Sequence, residues 1–115
     1  MREHTPDARA DRRMGRTAEI IAHEAAAFIK EIASSESLIT VTRALASSRG
    51  ERMTVCMSVF PEAREGAALA LLARKREAFS EYLKAHARLR PLPRVDFEID
   101  SGEKNRLRLD ELSGG

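Results

Sequence analysis

The sequence predicts an α+β fold in the order α-β-β-α(α)-β, with a three-stranded sheet and its helices packed on one face. Three observations carry that expectation. Apolar residues recur at helical spacing in two long stretches. The segments Arg52–Phe60 and Arg94–Asp100 alternate apolar and polar residues, as half-buried strands do. Between a β-branched run and the first of these lies the short Gly-containing segment Ser47–Glu51, which makes the pair an antiparallel hairpin.

Residues 1–15, with Pro6 and no hydrophobic periodicity, are expected to form a flexible basic N-terminal arm that orders on a partner. The folded domain is expected over 16–101 and a C-terminal tail over 102–115, despite Leu107 and Leu109. From Arg16 to Ala33, Ile21, Ala25, Phe28 and Ile32 fall at i, i+4, i+7 and i+11 and form one helical stripe. Ile20 and Ile29 widen it, the alanines add helix propensity, and the cluster Ser34, Ser35, Glu36, Ser37 ends it. Leu38–Ala46, with Ile39, Thr40, Val41 and Thr42, reads as the first strand. In the second, Met53, Val55, Met57 and Val59 share one face, and Arg52, Thr54, Cys56 and Ser58 the other. Pro61 ends that strand and opens a helical stretch to about Arg88, with Leu69, Leu72, Phe79 and Leu83 on one side. The charged run Arg74-Lys75-Arg76-Glu77 interrupts the stripe, so two helices or one bent helix are expected, ended by Pro91 and Pro93. In the last strand Val95, Phe97 and Ile99 point inward, and Arg94, Asp96, Glu98 and Asp100 outward to solvent.

Composition narrows the function classes. The chain has 115 residues, one domain's worth, of which 43% are hydrophobic and 33% charged, so it can bury a core and fold. Aromatic residues make up 4%, with no Trp and a single Tyr, which argues against nucleic-acid binding by rows of stacking rings. Cys56 is the only cysteine, so an internal disulfide framework and a thiolate zinc site are excluded. No apolar run approaches the ~20 residues of a membrane span, and the charged start is unlike a signal peptide. A reduced, cytoplasmic protein with no membrane partner is expected.

The net charge of +2 is unevenly spread. Residues 1–16 carry a net +2, residues 17–73 a net −2, residues 74–94 a net +5 and residues 95–115 a net −3. A basic block late in the chain with a weaker one at its start is the pattern of a phosphate-facing surface. The candidate RNA-binding residues are Arg12, Arg13 and Arg16 on the arm and Arg74, Lys75, Arg76, Lys84, Arg88, Arg90 and Arg94 in the block. Lys84 and Arg88, at i and i+4, would share a helix face. Some of the block is expected only to pair with Glu77 or Glu81 at a solvated helix surface.

The element order is that of a type II KH-like domain, yet the Gly-x-x-Gly loop with which a KH domain clamps nucleotides is absent, since no two glycines stand three apart. A KH-like order without that loop resembles the bacterial ribosome-binding factor A family. The likeness rests on Arg16-Thr-Ala-Glu-Ile-Ile-Ala-His-Glu24, on the hairpin from Thr40 through Ser47 and from Val55 to Phe60, and above all on Ala87-Arg-Leu-Arg90-Pro-Leu-Pro93 leading into Val95-Asp-Phe97 and Asp100. It covers roughly residues 12–112. In two places the chain departs from the family: Lys75-Arg76-Glu77 stands where an Ala-x-Gly kink is common, and Ser47-Ser48-Arg49-Gly50 where the loop tends to read Ser-x-Asp-Leu. The resemblance implies a non-catalytic, monomeric assembly factor. Its partners would be the immature 30S subunit and 16S rRNA near the decoding region, assisting late maturation and rRNA processing, with a GTPase promoting release in some lineages.

Other chemistry is weakly supported. His4, His23 and His86 are scattered and lack a metal-ligand spacing, although His86 lies within the basic block. Cys56 has no marked base or oxyanion donor, and the serine cluster reads as a loop, so no catalytic residue, metal or cofactor is assigned. Two alternatives remain: a small interaction module that dimerises or binds a partner through its sheet edge or acidic tail, and a general single-strand RNA binder.

Overall fold

The computed structural model describes residues 8–47 and 49–102, with side chains from residue 12 onward. Helix α1 spans Ala8–Ile32, strand β1 Leu38–Ala46 and strand β2 Arg52–Phe60. A short 3-10 turn over Glu62–Arg64 leads into α2 (Glu65–Arg74), α3 (Arg76–His86) and strand β3 (Arg94–Ile99). The sheet order is β1-β2-β3, with β1 antiparallel to β2 and β3 parallel to it. The parallel pairing needs a crossover, which α2 and α3 provide. The expected α+β architecture, with its helices on one sheet face, is therefore present.

The helix-facing residues are those that alternation selects. Met53, Val55 and Met57 on β2 are buried beneath Ile21, Ala25, Phe28 and Ile29 of α1 and Leu72, Phe79 and Leu83 of the crossover helices. One cluster joins Ile21, Phe28, Val55, Phe79, Leu83 and Val95; a second joins Ile29, Met57, Val59, Ala68 and Leu72. Phe79 is at the centre of the aromatic contacts, with ring centroids 5.1 Å from Phe28 and 5.6 Å from Phe97.

Two boundaries and one burial correct the sequence reading. Helix α1 begins at Ala8 rather than Arg16, so residues 8–15 of the expected arm are helical. Apolar periodicity starts late, but Ala, Arg and Met are good helix formers and extend the helix without needing a buried stripe. The rest of the arm, residues 1–7, and residues 103–115 of the expected tail lie outside the described residues. Helix α3 ends at His86, since Ala87 turns extended (φ −132°, ψ 146°), and Lys84 and Arg88 therefore share no helix face. Asp100, expected in solvent, is only 5% exposed. Its carboxylate accepts the Thr42 hydroxyl and pairs with Arg43, Nε to Oδ2 at 3.3 Å. The cause is an irregularity between Val41 and Arg43 in β1, which turns both polar side chains over the open sheet face.

The charged run does break the long helix, at Lys75 (φ −96°, ψ 9°). Its N–H is shared between the carbonyls of Leu71 (3.0 Å) and Leu72 (3.2 Å). Residues 74–77 contain no apolar anchor to hold a straight rod against the sheet, so α2 and α3 pack as separate segments.

Candidate nucleic-acid interface

Beyond His86 residues 87–93 form an irregular linker, bent at Arg90 and Pro91, that exposes Arg88 and Arg90. This linker is tied to the hairpin at its far end, where the Arg94 N–H donates to Glu51 O at 3.0 Å. The hairpin turn closes through Gly50 N–H to Ser47 O (2.9 Å), and the Ser47 Oγ accepts from the Arg52 N–H. Gly50 has φ +70°, a left-handed conformation, and Met14 of α1 lies over it. Three segments distant in sequence are thereby brought together: the early turns of α1, the β1–β2 turn and the α3–β3 linker.

Between them lies a cleft of about 340 Å³, into which Arg13, Arg49 and Arg90 converge. Its floor is Ala46, Met53 and Pro93, and among the described residues no carboxylate lines it. An arginine fork matches phosphate geometry bidentately, and three such forks line this one cleft. Arg49 was missing from the sequence-derived set because it sits in the stretch of negative net charge and was read only as a turn residue. Its position next to Gly50 was the available signal, since a tight turn presents its neighbours outward.

The remaining candidates divide by partner. Arg12, Arg16, Arg74, Lys75 and Arg88 are exposed and form no ion pair among the described residues. Three others already have carboxylates. Arg76 Nη1 lies 3.2 Å from Asp96 Oδ1, Arg94 Nε lies 3.8 Å from the same oxygen, and Lys84 Nζ lies 3.1 Å from Glu81. Arg76 and Arg94 flank a second cleft of about 320 Å³ on the other side of Pro93, floored by Leu83, Leu92 and Val95. The ten candidates thus form no single patch. Arg13, Arg49 and Arg90 line one cleft, while Arg76 ties α3 to Asp96 of β3 and Arg94 pairs with the same carboxylate within the strand.

Cys56 is buried on the open sheet face, and burial foremost, with the Asp100 carboxylate, pushes its thiol pKa up. A thiol held protonated is a poor nucleophile. His23 and His86 are exposed and belong to no metal-holding group of three His, Cys, Asp or Glu among the described residues. Among those residues no helix is long and apolar enough to cross a membrane.

Solved structures show where this architecture occurs elsewhere. The crystal structure of ribosome-binding factor A from Thermus thermophilus matches with a TM-score of 0.65 and 26% identity, over 73% of this chain and 91% of that one. The chain is similar in fold to ribosome-binding factor A. A Thermus thermophilus ribosome-binding factor A homology model, fitted into a cryo-EM map of a 30S complex with that factor, matches at TM-score 0.62 and 27% identity. There the match covers 70% of this chain and 88% of the other. A Thermotoga maritima solution NMR structure, named as a candidate ribosome-binding factor A, shares the fold at TM-score 0.60 and 19% identity, covering 84% and 91%. No protein-family model and no curated protein matches the chain. In this chain the break between the crossover helices falls at Lys75, within the run of charged residues that stands where the resemblance implied Ala-x-Gly.

Proposed function

We propose that this protein is a small-subunit assembly factor, which binds the immature 30S particle through 16S rRNA and assists late maturation and rRNA processing. The observation that carries the reading is the convergence of Arg13, Arg49 and Arg90, from three separate segments, on one cleft that no carboxylate lines among the described residues. Arg88, Arg12 and Arg16 extend the cationic surface. The likeness to a factor fitted into a 30S complex names the phosphate-rich partner. The protein acts by occupancy rather than catalysis: it holds an rRNA conformation and leaves when the site matures. A factor that acts on the ribosome in this way is a cytoplasmic protein.

The test is co-sedimentation of the full chain with immature small subunits at low and high salt. Binding is expected to be confined to small subunits and to fall steeply with salt, because each neutralised phosphate releases counterions. The triple variant Arg13→Glu/Arg49→Glu/Arg90→Glu should lose co-sedimentation while melting as the wild type does. Wild-type-like association of that variant would overturn the site assignment.

A second reading, a protein-interaction module, is favoured by Leu38 and Phe60. They face each other across β1 and β2 and are 66% and 73% exposed. It predicts association that survives both high salt and nuclease.

A further inference from the structure

We propose that His86 is a nucleobase platform at the edge of the arginine surface, taking one unpaired base of a single-stranded RNA segment. The proposal deepens the RNA-binding reading above and rests on it. The His86 ring lies on Tyr82 with centroids 3.9 Å apart and planes 18° from parallel. Its Nδ1 is 2.9 Å from Tyr82 O; a carbonyl only accepts, so Nδ1 carries the proton and the ring is fixed in orientation. Tyr82 is itself held by the core, its ring 5.3 Å from that of Phe28. His86 is exposed, so a pre-oriented aromatic surface stands where α3 ends.

Its neighbours determine what it fits. The chain leaves His86 toward Arg88 and Arg90, the latter at the cationic cleft. On the other side, desolvation foremost, with the Glu24 and Glu31 carboxylates, pushes the pKa of the Tyr82 phenol up. The cations nearest in the chain, Arg88 and Arg90, would draw a polyanion along the linker. An RNA strand whose phosphates follow Arg88 and Arg90 has a base within reach of the ring. Stacking of this kind tolerates any base, because every base presents a π face. One platform beside a phosphate track is consistent with a chain too poor in aromatics for rows of stacking rings.

The experiment measures binding of a fluorescein-labelled single-stranded RNA to the full chain by anisotropy across a salt series. His86→Ala should weaken binding roughly tenfold. The slope of log affinity against log salt should not change, since no phosphate contact is lost. His86→Phe should restore affinity. The chain has no Trp, so His86→Trp adds a unique fluorophore whose emission a stacked base should quench. Wild-type affinity in His86→Ala, or failure of His86→Phe to rescue, would overturn the platform. If His86→Ala binds normally while Arg88→Glu/Arg90→Glu does not, the arginine surface stands without it. Absence of any RNA binding by the wild type would instead overturn the RNA-binding reading, and the platform with it.

Discussion

Cys56 and Asp100 are neighbours on the sheet face that the helices leave open, and both are 5% exposed. Thr42 Oγ1 donates to the Asp100 carboxylate and lies 3.1 Å from Cys56 O, while the Arg43 guanidinium covers both residues. Burial, with the Asp100 carboxylate, raises the Cys56 pKa above its ordinary 9.0, and Arg43 only partly opposes it. The unfolded chain therefore releases this proton at lower pH than the folded one. The corresponding stability is fully present below pH 9.0 and is lost as pH rises through the folded pKa. Cys56→Ala should remove that component, so the wild-type-minus-variant difference in urea stability should be constant below pH 9.0 and shrink as pH rises above it. An unchanged difference would show that the thiol titrates alike in both states. Alternation placed Cys56 on the outer face correctly, but its burial could not be read from alternation, because the cover comes from an irregularity in the neighbouring strand.

At the scale of elements, arginines that read alike in sequence have different roles. Arg76 starts α3 and reaches Asp96 on β3, while Arg90 sits in the linker at the cleft. Arg76→Glu replaces an attraction with a repulsion in a pair 40% and 36% exposed, so solvent screening limits the loss to about 0.5–1 kcal/mol. It should lower the thermal midpoint, whereas Arg90→Glu should leave that midpoint in place and weaken RNA binding. Equal melting of the two would contradict the division. The strands and the helix break at Lys75 were legible from alternation and from four consecutive charges. The start of α1 was not, because residues 8–15 carry propensity without periodicity. That missed length of helix is what carries Arg13 and Met14 to the hairpin turn.

At the scale of the molecule, stability depends on Phe79, fully buried between α1 and β3. Phe79→Ala should cost about 3–5 kcal/mol in chemical denaturation, since the rigid walls of α1 and the sheet cannot close the cavity. A loss below about 1 kcal/mol would mean that the core collapses around the gap. The sequence by itself determined the strands, the sheet's buried face, the crossover helices and the presence of a late basic block. Each of these follows from a local period or a local charge count, which neighbouring residues express together. Only the tertiary structure decided which cations share a surface. Arg13, Arg49 and Arg90 are brought together by packing of α1, hairpin and linker, while Arg76, Lys84 and Arg94 are taken up by nearby carboxylates. A charge count sums residues along the chain, but a phosphate site depends on distances through space between groups that no local pattern relates.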